Sequence, residues 1–234
     1  YSIYPYELYI RKIMTLPKPI KFRVERYIGG LSQFKKIDNP IKLSANESAL
    51  GPSPKAIQAF ENDKNNIFKY PESDSESLRE ALSEKFNIDA KRIICGAGSD
   101  QIFDLTCRLF LKPEDEVIVT EFGFIMHRIY ASLHNAKVVL AKEKNFKASV
   151  EEILKKVNNK TKIVFIANPN NPTGTYIPKD EMLNLRKKLR SDILLVVDDA
   201  YFEFLNFNDF TSGLDLFKDS NNVLVTRTFS KIYG

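Results

Sequence analysis

Cysteine and histidine are scarce. The 234 residues hold two cysteines, Cys95 and Cys107, and two histidines. Two thiols make no disulfide framework, and no cysteine or histidine spacing suits zinc or another metal. A reducing, cytoplasmic setting is therefore expected. No run of about 18 or more uncharged apolar residues occurs, which argues against a transmembrane helix and membrane partners. The first residues lack a basic segment followed by an apolar stretch and a small-residue cleavage site, so no secretory leader is expected. The chain opens on Tyr1 and its first methionine is Met14, which leaves both Met14 and an earlier start open. The 35 basic and 30 acidic residues give a net charge of +5. Its lysines are scattered and mostly sit beside acidic residues, as Lys155, Lys156, Lys187 and Lys188 do. That pattern reads as a solvated surface and not as a nucleic-acid face.

What the sequence does contain is an alternation. Residues 1–45, with prolines at 5, 17, 19 and 40 and the pair Gly29-Gly30, read as an N-terminal arm; residues 46–234 read as one large domain. Within the latter, apolar strand-like runs are expected at 92–95, 116–120, 137–141, 162–167, 193–198 and 223–226. Helices are expected between them, with faces Leu78/Ala81/Leu82/Phe86, Ile102/Leu105/Thr106/Leu109 and Met126/Ile129/Tyr130/Leu133. The runs Ile-Val-Phe-Ile-Ala and Ile-Leu-Leu-Val-Val are continuous and not alternating. Both strand faces should then be covered by helices, as in a mainly parallel α/β sheet. Ligands in such folds collect at the carboxyl ends of the strands.

Four segments follow strands directly. Gly96-Ala97-Gly98-Ser99-Asp100 is a glycine turn into a helix, able to face an anion with free N–H groups or to serve as a plain connection. Asn168-Pro169-Asn170-Asn171-Pro172-Thr173-Gly174 is a stiff polar turn that could aim an amide at a ligand or simply turn the chain. Asp198-Asp199-Ala200-Tyr201 puts a carboxylate at the end of a buried run, where it needs a cation or a proton unless it caps a helix. Thr226-Arg227-Thr228-Phe229-Ser230-Lys231 places two hydroxyls ahead of a lysine that could act as a nucleophile, although most lysines are surface groups.

Taken together, in this order and spacing, the four segments resemble the fold-type I pyridoxal 5'-phosphate aminotransferases from about Tyr27 to Gly234. The resemblance implies a large domain built on a mixed, mainly parallel sheet between helices. It implies an N-terminal arm, a C-terminal small domain that is absent here, and a homodimer with sites at its interface. It implies Lys231 as the Schiff-base lysine and proton carrier, and Asp198 as the partner of the cofactor ring nitrogen. Tyr201 and Asn171 would bond the ring's phenolic oxygen, and Phe124 would stack on the ring. Ser99, Asp100, Thr228 and Ser230 would surround the cofactor phosphate, with Tyr70 arriving from the neighbouring subunit. Within the family the likeness narrows to the histidinol-phosphate aminotransferases. It does so through Tyr27-Ile28-Gly29-Gly30, Leu43-Ser44-Ala45-Asn46-Glu47, Gly51-Pro52-Ser53-Pro54, Tyr70-Pro71, Phe122 to Ile129 and Arg227 to Lys231. That implies substrate contacts from Tyr27 and Asn46, and exchange of an amino group between L-glutamate and imidazole acetol phosphate, giving L-histidinol phosphate and 2-oxoglutarate. The chain departs from the pattern where Ser48-Ala49 replaces Asn-Pro and Gln101 replaces Glu, and Phe124 stands where relatives often have Tyr. The arginines expected for substrate and cofactor phosphate lie beyond Gly234, so the 234 residues are expected to be a fragment, inactive alone.

Rival readings are an aromatic or broad-range aminotransferase, a phospho-amino-acid decarboxylase of the same fold, a transcription regulator with an aminotransferase-like domain, and a non-catalytic remnant. The regulator needs a DNA-binding domain that the short, proline-rich arm does not offer.

Overall fold

In the computed structural model, the described residues are Val24, Tyr27, Gly29 and 41–234. Most of the arm, with Met14, Ile28 and Gly30, lies outside them. The order is α1 (Pro54–Asp63), α2 (Glu76–Phe86), α3 (Gly98–Phe110), β1 (Glu116–Thr120), α4 (Ile125–Leu133), β2 (Lys137–Ala141) and the short pair β3 (Glu143–Lys144) and β4 (Lys147–Ala148). There follow α5 (Val150–Lys156), β5 (Thr161–Ala167), α6 (Lys179–Lys188), β6 (Leu194–Asp198), α7 (Gly213–Phe217) and β7 (Val223–Thr226).

Five strands form one sheet in the order β2-β1-β5-β6-β7, and every pairing described in it is parallel. Strand parity sorts the core into two layers. Val117, Val119, Ile163, Phe165 and Val196 face Phe103 and Cys107 of α3 and Ala131 of α4. Ile118, Val164, Ile166, Leu195 and Val197 face Val150 and Ile153 of α5, Met182 and Leu185 of α6, and Phe217 of α7. Both faces are dry, which is why the strands read as unbroken apolar runs.

Two helix faces differ from expectation. On α3 the buried side chains are Ile102, Phe103, Thr106 and Cys107, while Leu109 is 74% exposed. On α4 they are His127, Ile129 and Ala131, with Met126, Tyr130 and Leu133 only partly covered. In each case a neighbouring large or polar residue lies deeper than the leucines, because the contact with the sheet is set by Phe103 and His127.

The strand expected at 92–95 does not form: Ala90–Arg92 is a short 3-10 turn and Ile93–Cys95 has no ladder partner. A strand needs a partner for its N–H and C=O groups. Ile93, Ile94 and Cys95 instead line a cleft of about 640 Å³ together with Leu224 and Val225 of β7. Among the described residues, β7 pairs only with β6.

Candidate active site

The carboxyl ends of β5, β6 and β7 lie side by side, with Ala167 in register with Asp198 and Asp198 with Thr226. The turn from Asn168 to Gly174, the step from Asp198 to Tyr201 and the run from Arg227 to Lys231 follow these three strand ends.

Asp198 is 5% exposed. Parity turns it toward the α3–α4 layer. Its Oδ1 accepts from the Ala200 N–H (3.2 Å) and the Thr226 hydroxyl (3.1 Å). Its Oδ2 lies 3.7 Å from His127 Nε2, too long for a hydrogen bond. His127, 2% exposed, is stacked on Phe165 with ring centres 4.9 Å apart, and Phe103 and Phe124 meet it edge-on at 4.7 and 5.6 Å. His127 was not legible as a site residue; its only signal was its place three residues after Phe124.

Asp199 points the other way. It is fully buried and accepts from the Gly213 N–H at 2.7 Å, so it is a bracket for α7 and not part of the site. Burial raises its carboxyl well above the usual carboxylate range, opposed by the Arg227 charge.

The asparagine-rich turn divides its labour. Asn168 accepts from the Ile177 N–H (2.7 Å), and its Nδ2 donates to the Ile177 carbonyl (3.2 Å). Asn170 Nδ2 donates to the Phe122 carbonyl (3.2 Å) and the Thr173 hydroxyl (2.9 Å). Only Asn171 reaches the site, where its Nδ2 donates to the Tyr201 hydroxyl oxygen at 3.3 Å. Asn46 does the same at 3.0 Å. Lys231 Nζ stands 5.8 Å from the Tyr201 ring centre and donates to the Ala45 carbonyl at 3.4 Å. Asn46, Asn171, Tyr201 and Phe204 line a cleft of about 390 Å³, smaller than the apolar cleft beside β7.

At the start of α3, Gly98 has φ +72, a left-handed geometry natural to glycine. Gln101 Oε1 accepts the Ala97 N–H at 2.6 Å, so glutamine at this position secures the turn. Ser99 Oγ is buried without a hydrogen-bond partner. Asp100 is half-buried, and burial first, then the Asp198 charge, raise its carboxyl, while His127 and Lys231 lower it. These four groups therefore share one electrostatic neighbourhood. Thr228 and Ser230 hydroxyls are 2.7 Å apart. Phe124 precedes α4 as its N-terminal boundary residue.

Two expected residues are not brought to this edge within one chain. Tyr70 is fully exposed and Tyr27 is 56% exposed.

The model of the family "Aminotransferase class I and II" matches residues 38–234. The chain belongs to that family. A histidinol-phosphate aminotransferase of Pelagibacter ubique is 59% identical over 94% of this chain and 61% of its own length. The enzyme of the same name from Paramagnetospirillum magneticum is 46% identical over 93% of this chain and 60% of its own. The chain thus spans about three-fifths of these curated relatives. Among solved structures, histidinol-phosphate aminotransferase from Sinorhizobium meliloti in complex with pyridoxal-5'-phosphate superposes with a TM-score of 0.77 at 28% identity, covering 81% of this chain and 52% of that one. An aspartate aminotransferase from Rhizobium meliloti, 23% identical with a TM-score of 0.74 over 82% of this chain and 52% of its own, shares the fold. A mainly parallel sheet between helices is the fold that this chain shares with these structures. Among the described residues no helix is long and apolar enough to cross a membrane.

Proposed function

We propose that the full-length protein is a pyridoxal 5'-phosphate-dependent histidinol-phosphate aminotransferase of histidine biosynthesis, working as a cytoplasmic homodimer. The supporting observation is the convergence of an amine (Lys231), a phenol (Tyr201), an amide (Asn171) and a buried carboxylate (Asp198) on one sheet edge. The name carried by relatives at 59 and 46% identity supports the choice of substrate.

The residues present fit the cofactor. The orphaned Ser99 Oγ, the hydroxyls of Thr228 and Ser230, and the N–H groups that open α3 form a donor set suited to a phosphate. A helix end is worth only about 0.3–1 kcal/mol to an exposed anion, so the hydroxyls are needed beside it. Among the described residues none donates a hydrogen bond to Asp198 Oδ2, and that oxygen suits a protonated ring nitrogen. When bound, the cofactor supplies an electron sink for the carbanion left when the substrate loses its proton.

The chain's own residues do the rest. Lys231 Nζ, held near Tyr201, is the group that would carry a proton to and from the reacting carbon. Asp198, fixed by Ala200 and Thr226 and backed by His127, would keep positive charge on the ring nitrogen. Tyr201 and Asn171 offer hydrogen bonds to the ring oxygen, and Phe124 supplies an aromatic face. Exposed apolar side chains along 41–70, among them Leu50 (96%), Phe68 (79%) and Tyr70 (100%), support a covering second subunit. Their distribution suits a subunit that also delivers Tyr70.

Visible absorbance of the full-length protein with pyridoxal 5'-phosphate tests the reading. Lys231→Ala should lose the band, and Asp198→Asn should weaken or redden it. Assays should show imidazole acetol phosphate preferred to phenylpyruvate as amino acceptor. The reverse preference would mean the aromatic aminotransferase reading, and a band that persists in Lys231→Ala would remove that lysine from its role.

A further inference from the structure

Tyr201 is gripped by two amides from distant parts of the chain. Asn46 and Asn171 each donate to its hydroxyl oxygen, at 3.0 and 3.3 Å. A phenol has one O–H donor and two acceptor lone pairs. Two N–H donors occupy both lone pairs, and the proton is then all that the hydroxyl has left to offer. It must point away from both amides.

Asn46 is held in place to do this. Its φ is +53, a left-handed backbone that asparagine tolerates better than most residues. The residue before it, Ala45, gives its carbonyl to Lys231 Nζ at 3.4 Å. Two consecutive residues thus hold the amine and the phenol in one frame. Among the described residues, charged groups beside Tyr201 include Lys231, 5.8 Å from its ring centre, and Glu47, which lines the same cleft and pairs with Lys42 at 2.7 Å.

We propose that Asn46 is a positioning residue that acts through Tyr201 and not as a substrate contact. With Asn171 it locks the tyrosine hydroxyl as a donor toward the cofactor's ring oxygen. This rests on the cofactor reading above. A hydrogen bond donated to that oxygen draws off part of its negative charge. Without a well-aimed donor, the oxygen holds more tightly the proton on the nitrogen that links Lys231 to the cofactor.

The measurement is a pH titration of the visible band of the full-length protein with pyridoxal 5'-phosphate. Asn46→Ala should move the midpoint up by about half a pH unit, the scale of one neutral hydrogen bond. Asn46→Asp should move it further, because a carboxylate accepts the phenol proton and turns it away from the ring. In a Tyr201→Phe background, Asn46→Ala should add nothing, since the coupling runs through the hydroxyl. An unmoved midpoint with a raised KM for the amino donor would make Asn46 a substrate contact and overturn the proposal. An equal shift in the Tyr201→Phe background would also overturn it. If the unaltered protein shows no band that Lys231→Ala removes, the cofactor reading itself fails, and the proposal with it; that result is distinct from either of the others.

Discussion

Two consecutive aspartates show how much one step of strand parity decides. Asp198 and Asp199 have the same side chain and lie on opposite sides of the sheet edge. Asp198 finds two donors and a histidine; Asp199 finds the Gly213 N–H at 2.7 Å, and its second oxygen has no partner. Burial raises the Asp199 carboxyl well above its ordinary value. Below about pH 4 the group is protonated in the folded and unfolded chains alike. As pH rises, the unfolded chain releases its proton first, so stability falls until the folded carboxyl ionises too. Asn at this position keeps the size and the acceptor for Gly213 and has no proton to lose. Urea midpoints of Asp199→Asn and the unaltered protein should therefore diverge as the pH rises above about 4, with the variant gaining. Each pH unit separating the folded and unfolded carboxyls is worth about 1.4 kcal/mol. Parallel curves would show that Asp199 is ionised in the folded chain. At this scale the sequence was partly legible. Asp198 could be singled out because a charge ending an apolar run needs an explanation. Nothing in the string Asp-Asp distinguished the bracket from the site residue, and His127 looked like one more helix side chain.

Among elements, the joint between α3, α4 and β5 carries the most consequence. Phe103 meets His127 edge-on at 4.7 Å and Phe165 at 5.7 Å, and His127 lies flat on Phe165. All three are at most 2% exposed. Phe103→Ala would leave a void that close-packed neighbours fill only in part, at a cost of about 3–5 kcal/mol. It also removes one wall holding His127 behind Asp198. Denaturant unfolding should show the loss, and the cofactor should bind more weakly in proportions that overall destabilisation alone does not explain. The strands were readable because both their faces are apolar, and for the same reason the parity of β1, β5 and β6 could only come from the structure. The β3–β4 hairpin was not. Its turn residues Asn145 and Phe146 both have positive φ, +53 and +60. A bulky aromatic in that region is unfavourable, so no Asn-Gly or Gly-rich signal marked it. The short helix α7 was missed because its five residues are too few to show a period. The expected strand at 92–95 had the right composition and lacked only a partner, which composition cannot reveal.

For the molecule as a whole, the least satisfied stretch among the described residues is 54–70. α1 has ten residues and buries none of them, although Ile57 and Phe60 give it an apolar side. A helix of that length is not stable in water without burying a face. Ile67, Phe68 and Tyr70 continue the exposed row at 79 to 100%. On the proposed reading, a second copy covering this row would receive Tyr70 beside the hydroxyls of Ser99, Thr228 and Ser230 proposed to hold the phosphate. Hybrid dimers decide whether Tyr70 works across the interface. One protomer carries Lys231→Ala and the other Tyr70→Ala, each nearly inactive as its own homodimer. If Tyr70 serves the neighbouring site, the mixed dimer contains one site with both residues intact, because the Tyr70→Ala protomer keeps its lysine and receives tyrosine from its partner. Mixing and reassociation should then recover transaminase activity that neither parent has. If Tyr70 serves its own chain, every site in the mixture keeps one lesion and nothing is recovered. Sedimentation of the full-length protein should show a dimer at micromolar concentration, and Phe68→Asp, by placing a charge in the covered row, should shift it toward monomer and weaken cofactor binding with it.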